Sequence, residues 1–251
     1  MTQDSRLYRD LAKYYDAQYS RKNYEAEVHR LEAVVRRYGS SRGSSWLDVA
    51  CGTGRHLALL RSRHRDCVGL DASVEMLRIA RKRLPGVPLV HGDMRSFRLD
   101  REFDVVTCLF SAIGHMTTER DLETSFANFA RHLKPGGVAI VEPWILPARA
   151  RPGHVHLLTV KSGKDTVVRL AYSRIRGRHT IIRYHYLIGE WGRGIRHIEV
   201  TDRGLMVDPV RLQHLMKRAG LRPRFLSRGF YTDRGLLIGV KSTPASRSRQ
   251  P

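Results

Sequence analysis

Residues 44–56 read SSWLDVACGTGRH: an apolar run holding Asp48, then Cys51 and two glycines, Gly52 and Gly54, at what reads as a helix start. Glycines at a strand exit let the backbone turn sharply and approach a ligand with no Cβ in the way. A dinucleotide fingerprint would place a third glycine at position 57. That position is Leu57, so close packing over a pyrophosphate is not encoded. The next apolar run ends CVGLDAS, which puts Asp71 where a carboxylate can accept both hydroxyls of a ribose. The third ends VHGDMRSF, where Asp93 can accept from an exocyclic amine while Met94 packs on an adenine ring. Asp71 could instead cap the following helix, with Ser73 as its rival, and Asp93 could cap a turn. A lone glycine loop is weak evidence. Followed by an acid at each of the next two strand ends, it points to a small adenosine-bearing ligand held against backbone.

A second group of residues could act on whatever that ligand meets. His115 follows an apolar run and a glycine in FSAIGH, at the edge where a substrate must sit, and an imidazole of pKa about 6.5 can take a proton near neutrality. Tyr8, Tyr14, Tyr15, Tyr19 and Tyr24 recur at spacings that also suit one helix face packed on a core. Glu142 and Trp144 stand at the tip of the last apolar strand, to shape a substrate pocket or to seal the insertion beyond it. Arg234 opens a closing strand in DRGLLIG, in a chain already rich in arginine.

These residues need elements to hold them. Strands are expected at 46–50, 67–70, 88–91, 104–110 and 138–142, with helices after Gly54, at 73–84 and at 119–133. Short apolar strands alternating with helices form a parallel sheet covered on both faces, and ligands bind such sheets at the carboxyl ends of the strands. Residues 1–40 read as helical, with Gly39 as a stop. From 155 to 200 the text turns β-branched and is broken at SGKD, RGRH and GEWGRG, which predicts three or four hairpin-linked antiparallel strands. VDPVRLQHLMKRAG then restores a helix, and RPRFLSRG and RGLLIGVK supply two closing strands.

With 251 residues the chain can bury a proper core. No apolar run approaches a membrane span and the first residues, MTQDSRLYRD, lack a signal-peptide core, so a cytoplasmic protein with no membrane partner is expected. Cys51, Cys67 and Cys108 match no CxxC or zinc pattern and read as buried thiols, with no metal expected. The charge, 45 basic against 24 acidic residues for a net +21, favours an anionic partner, either nucleic acid or a nucleotide diphosphate.

LDVACGTG, GLD, HGDMRSF, FDVVTCLFSAIGH and HLKPGGVAIVEPW together resemble class I S-adenosylmethionine-dependent methyltransferases. More narrowly, DVACGTG, FSAIGH, PGGV and VEPW, with a late antiparallel insertion and a closing RGLLIGV, are similar to nucleotide-sugar N-methyltransferases. Those enzymes dimethylate the amine of TDP-deoxyaminosugars of the desosamine and mycaminose kind. The resemblance implies an α/β, Rossmann-like fold with a mostly parallel seven-stranded sheet and an antiparallel β insertion. In this chain that gives a helical cap at 1–43, a core at 44–144 and 205–242, an insertion at 145–204 and a tail at 243–251.

The resemblance also implies site residues. Gly52, Gly54, Asp71, Asp93 and Met94 would hold S-adenosylmethionine, with Ala50, Ala72, Met76 and Phe110 beside them. Tyr15 and Tyr24 match tyrosines that close the site over the methionine end. Tyr8, Tyr14, His115, Glu142, Trp144 and Arg234 would face the sugar nucleotide, with His115 as the catalytic group. The chain departs from the family at the shorter SRKN before Tyr24 and at FYTD before the closing strand. An RNA methyltransferase is the rival that the charge favours. However, the D/N-P-P-Y text common among enzymes acting on base amines is absent after the fourth strand, so nucleic acid is not the expected partner. A small-molecule O-methyltransferase is the closest enzymatic alternative, a cofactor-fold protein without turnover is another, and the unpaired edges of the insertion offer a homodimer interface.

Overall fold

A computed structural model describes residues 6–41, 43–230 and 234–243. The tail expected at 243–251 therefore lies, beyond residue 243, outside the described residues, as do residues 231–233 of FYTD.

The first segment is not the continuous helix that YRDLAKYYDAQYS suggests. It breaks into α1 (Arg6–Arg9), a 3-10 turn (Ala12–Tyr14) and α2 (Tyr15–Gln18). The physical reason is that its side chains serve two partners. Leu11 and Tyr14 pack into one hydrophobic cluster with strands of the insertion, while Tyr8, Tyr15 and Tyr19 stack towards Phe110 and His115. A helix this short is marginal in isolation, so tertiary contacts decide its shape. A regular helix comes next in α3 (Tyr24–Tyr38), capped by the Asn23 side chain and carrying Glu25 and Glu27 in its first turn and Arg36 and Arg37 in its last.

From there strands and helices alternate as expected: β1 (Ser45–Val49), α4 (Arg55–Arg63), β2 (Asp66–Asp71), α5 (Val74–Arg83), β3 (Leu89–His91), β4 (Phe103–Cys108), α6 (Glu119–Arg131) and β5 (Leu133–Val141). Ser73 and Thr118 cap α5 and α6 with their hydroxyls. After the insertion, β6 (Val155–Ser162), β7 (Asp165–Arg176), β8 (His179–Glu190) and β9 (Gly194–Leu205), come α7 (Pro209–Arg218), capped by Asp208, β10 (Leu221–Leu226) and β11 (Leu236–Lys241).

The main sheet has seven strands in the order β10-β11-β5-β4-β1-β2-β3, all parallel except β11, which runs antiparallel to both neighbours. The strand order reverses between β1 and β4, so the loops leaving those two strands open a crevice at the carboxyl edge. One face of the sheet packs on Phe126 and Phe129 of α6 and on Leu212 and Leu215 of α7, the other on Leu31 of α3 and Leu57 and Leu60 of α4. Every residue of β1 and of β4 is buried, as a two-sided parallel sheet requires.

The insertion forms its own sheet, β6-β7-β8-β9, antiparallel throughout. It docks on the carboxyl edge at Trp144. A Cβ on Gly114 would come within 2.4 Å of the Trp144 indole, and one on Gly204 of β9 within 2.1 Å. The ring therefore fills a slot that only two glycines leave open, and its Nε1–H donates to Thr180 Oγ1 of β8 at 2.6 Å.

Candidate active site

The loop after β1 is shaped by its backbone. Ala50, Gly52 and Gly54 all hold positive φ, at 57°, 57° and 78°. For Ala50 that conformation is uncommon, and the surrounding bonds sustain it. Cys51 N–H donates to Leu70 O at 3.0 Å and Gly54 N–H to Cys51 O at 2.9 Å. Asp71, at the tip of β2, accepts from Gly52 N–H and from Ser73 N–H, both at 2.8 Å. Its carboxyl is pushed up by burial, against these two N–H bonds that favour the charged form. Ser73, not Asp71, caps α5: its hydroxyl oxygen accepts from Met76 N–H and its O–H donates to Tyr8 O.

Asp93 and Met94 leave β3 as the motif suggests, with Met94 buried. The Asp93 carboxylate accepts from Arg95 N–H and is held low chiefly by the Arg95 guanidinium. A Cβ placed on Gly52 would meet nothing within 4 Å, so this loop presents open backbone at the crevice. Ala72 is exposed beside it, whereas Met76 is buried at 1% exposure.

Phe110 and Ser111 follow β4 and are consecutive left-handed residues, with φ of 53° and 58°. Glu142, wholly buried just after β5, accepts the Phe110 N–H at 2.6 Å, and Ser111 O–H donates to Pro143 O at 2.6 Å. Arg234 Nη1 donates to Ser111 Oγ at 3.0 Å and lies 3.9 Å from Glu142 Oε1. Burial pushes the Glu142 carboxyl up and the Arg234 guanidinium opposes it. Glu142 thus acts behind the wall of the crevice, by holding a strained turn, and not on its surface.

The turn delivers His115, whose Nε2 stands 2.9 Å from the Tyr8 hydroxyl and whose Nδ1 stands 3.5 Å from Asp202 Oδ1 of β9. Tyr8, Tyr15, Tyr19 and Phe110 make a continuous run of ring contacts, with centroids 6.4, 4.8 and 4.7 Å apart in turn. Burial holds the Tyr8 and Tyr15 phenols well above their ordinary range, so both stay protonated.

Not every expected residue joins this group. Tyr14 faces the far end of the insertion, where its O–H donates to Asp165 at 2.8 Å. Tyr24 stacks edge-on with His56 at 4.8 Å and carries the Arg55 guanidinium over its face. Trp144 is the wedge under the insertion. Conversely, Asp202 and Arg169 do not stand out in the sequence. Arg169 Nη1 donates to Gln18 Oε1 at 3.2 Å, and its guanidinium lies over the Tyr184 ring. A signal for Asp202 does exist: inward positions 198, 200, 202 and 204 of β9 alternate as Ile, Val, Asp and Gly, and the carboxylate is the exception.

Electrostatically the crevice contrasts with the molecule around it. Asp48, Asp71, Glu142 and Asp202, all buried, gather beneath its floor and walls in a chain of net charge +21. Carboxylates and aromatic faces together favour a bound cation, while open glycine backbone and a strand-end acid suit a ribose and its polar neighbour. The crevice therefore fits a positively charged, adenosine-bearing ligand such as a sulfonium.

A methyltransferase domain model matches residues 47–137. The chain is 41% identical to a dTDP-3-amino-3,6-dideoxy-alpha-D-glucopyranose N,N-dimethyltransferase of Streptomyces fradiae, over 92% of this chain and 91% of that relative. Among solved structures it resembles DesVI of Streptomyces venezuelae, with a TM-score of 0.82 and 38% identity over 88% of this chain and 93% of that one. It also resembles SAM-bound CalS10, an amino pentose methyltransferase from Micromonospora echinaspora, with a TM-score of 0.78 and 34% identity over 88% and 92%.

Proposed function

The chain belongs to the family of dTDP-aminosugar N,N-dimethyltransferases, and on that premise we propose that it transfers methyl groups from S-adenosylmethionine to the amine of a dTDP-linked deoxyaminosugar, twice in succession. The observation that carries this reading is the pairing of Tyr8 and His115 at the crevice. A phenol kept protonated and an imidazole nitrogen face each other 2.9 Å apart beside the open glycine loop.

Gly52, Gly54 and Asp71 would hold the donor's adenosine end, with Asp93 and Met94 at the base and Tyr15 and Phe110 towards its methionine end. Bound S-adenosylmethionine supplies a methyl already activated by its sulfonium. The protein's task is then to hold a neutral amine in line and keep water out, an orientation effect worth roughly 7–11 kcal/mol. His115 Nε2 is placed to take a proton from the sugar ammonium or to orient its lone pair, and Tyr8 steadies that nitrogen. Arg234 is the proposed contact for the diphosphate, since a planar guanidinium suits phosphate oxygens.

Partners other than the sugar nucleotide are few in this reading. Among the described residues no helix is long and apolar enough to cross a membrane. The outer face of the insertion, where Val155 pairs with Tyr172 and Leu157 with Leu170, all exposed, suits association with a second copy, which light scattering would test.

A methyl-transfer screen tests the function. dTDP-aminosugars should be methylated, and dTDP-sugars lacking the amine and bulk tRNA should not. Turnover of the amine-free sugars would make this an O-methyltransferase, and turnover of tRNA alone would mean that the positive charge serves RNA.

A further inference from the structure

Asp202 is a carboxylate on the inward face of β9, 4% exposed, at a position whose neighbours along that face are Val200 and Gly204. Burying a charge among such residues is costly unless it has a task. Its Oδ1 accepts from Arg203 N–H at 2.8 Å and lies 3.5 Å from His115 Nδ1. The opposite ring nitrogen faces Tyr8, whose phenol burial keeps protonated, with Asp202 itself adding to that effect. Both neighbours favour one form of the neutral ring. A proton on Nδ1 would have a carboxylate oxygen 3.5 Å from its nitrogen and leaves the Nε2 lone pair for the Tyr8 O–H. The other tautomer would set the Nδ1 lone pair against a negative oxygen.

The spacing is built in. Trp144, wedged between Gly114 and Gly204, joins the turn that carries His115 to the strand that carries Asp202. Among the described residues, the titratable groups around the pair include Tyr8 from the N-terminal segment, Tyr184 and Tyr186 from β8 beside Asp202, and Asp71 from β2 beside His115, with Arg169 of β7 behind the tyrosines.

We propose that Asp202 is a positioning residue that locks His115 in its Nδ1–H tautomer, so that the antiparallel insertion completes the proton-accepting device. When substrate displaces the Tyr8 O–H from Nε2, that nitrogen takes a proton from the substrate ammonium: one N–H bond breaks at the amine, another forms on the ring, and the Asp202 carboxylate balances the imidazolium. The identity of that proton donor rests on the sugar N-methylation reading; the tautomer does not.

The test uses the full chain and Asp202→Asn, which keeps shape and removes charge. Nitrogen NMR of labelled histidine, with His115 assigned through His115→Asn, should show Nδ1–H in the parent and a shift towards Nε2–H in Asp202→Asn. With a dTDP-aminosugar, kcat should fall about 10–100-fold while S-adenosylmethionine affinity stays within about twofold. Adding Asp202→Asn to His115→Asn should cost nothing more, and Asp202→Glu should recover part of the rate. An unchanged tautomer in Asp202→Asn, or a full additional loss in the double variant, would overturn the proposal. If the parent methylates no dTDP-aminosugar, the functional reading falls while the tautomer measurement still decides the role of Asp202.

Discussion

The two sides of the crevice are built by opposite routes. The proposed donor side centres on residues 45–73, two neighbouring strands and the turns that leave them, with Asp93, Met94, Tyr15 and Phe110 at its margins, and its centre works through backbone: positive φ at Ala50, Gly52 and Gly54, and N–H groups gathered on Asp71. The proposed acceptor side is assembled from five separated segments, carrying Tyr8, His115, Trp144, Asp202 and Arg234, and it works through side chains. Tyr8 and His115, in hydrogen-bond contact, are 107 residues apart in sequence. A site made of adjacent backbone survives so long as its two strands pair. A site made of distant side chains depends on every docking surface between them.

The hardest test of that contrast is removal of the wedge. Trp144 is half-buried, so Trp144→Ala should cost about 3 kcal/mol, the low end for large aromatics, and the loss should concentrate where the insertion meets the core. Methyl transfer should fall to background while S-adenosylmethionine affinity changes little. Isothermal calorimetry beside an activity assay checks this, and an equal loss of both would mean that the two sides are not independent.

This division also governs how much the sequence reveals. Strands, helix caps and the donor loop are local features, and DVACGTG, GLD and HGDMRSF carry them in contiguous text. The broken N-terminal segment reads as helix in the sequence because its residues answer to two partners, the insertion at Leu11 and Tyr14 and the aromatic run at Tyr8, Tyr15 and Tyr19. Glu142 and Trp144 are legible as strand-tip residues, but only packing shows that one holds the Phe110 turn and the other wedges β9. Asp202 shows in the sequence only as a carboxylate on an inward strand face, and its pairing is hidden because His115 belongs to another element and no spacing links them.

On the donor side the next largest effect should come from Asp48. Burial raises its carboxyl to about 6, with Asp71 adding and His56 and the Thr107 hydroxyl opposing, and its Oδ2 is buried with no hydrogen-bond partner among the described residues. A carboxyl raised on folding favours the folded state while protonated. Its contribution is complete below about pH 4 and is lost as pH rises through about 6, by up to about 3 kcal/mol. Asp48→Asn carries no such charge, so its stability advantage should grow between those pH values. Denaturant midpoints of the two proteins at pH 4 and pH 7.5 test this, and parallel profiles would show that Asp48 ionises at no cost. Glu142, also raised by burial, titrates in both proteins and cancels in the comparison.

Asp71→Ala should weaken S-adenosylmethionine binding by about 1.5–3 kcal/mol, the worth of charge-assisted hydrogen bonds. It also removes the acceptor for the Gly52 and Ser73 N–H groups, so Asp71→Asn, which keeps one acceptor oxygen, should fall between. Unaltered affinity in the alanine variant would place the ribose elsewhere and break the assignment of the donor side to β1 and β2.

Arg234 provides the finest test, because it touches the acceptor side from behind and from in front. Its Nη1 supports Ser111, and the same side chain, about one-fifth exposed, is the proposed anchor for the diphosphate. A separate groove of about 480 Å³, with Arg21, Lys22 and Arg30 in its lining, offers a second cationic surface near Phe230, so the loss need not be complete. Arg234→Ala should raise the dTDP-sugar KM about tenfold, about 1.4 kcal/mol, with a smaller change in kcat, since an anchor away from the reacting nitrogen binds ground state and transition state alike. S-adenosylmethionine affinity should stay near the parent value. If kcat falls and KM does not, Arg234 works only through Ser111 and the Phe110 turn. A Lys22→Ala variant that alone raised KM would move the anchor to the groove.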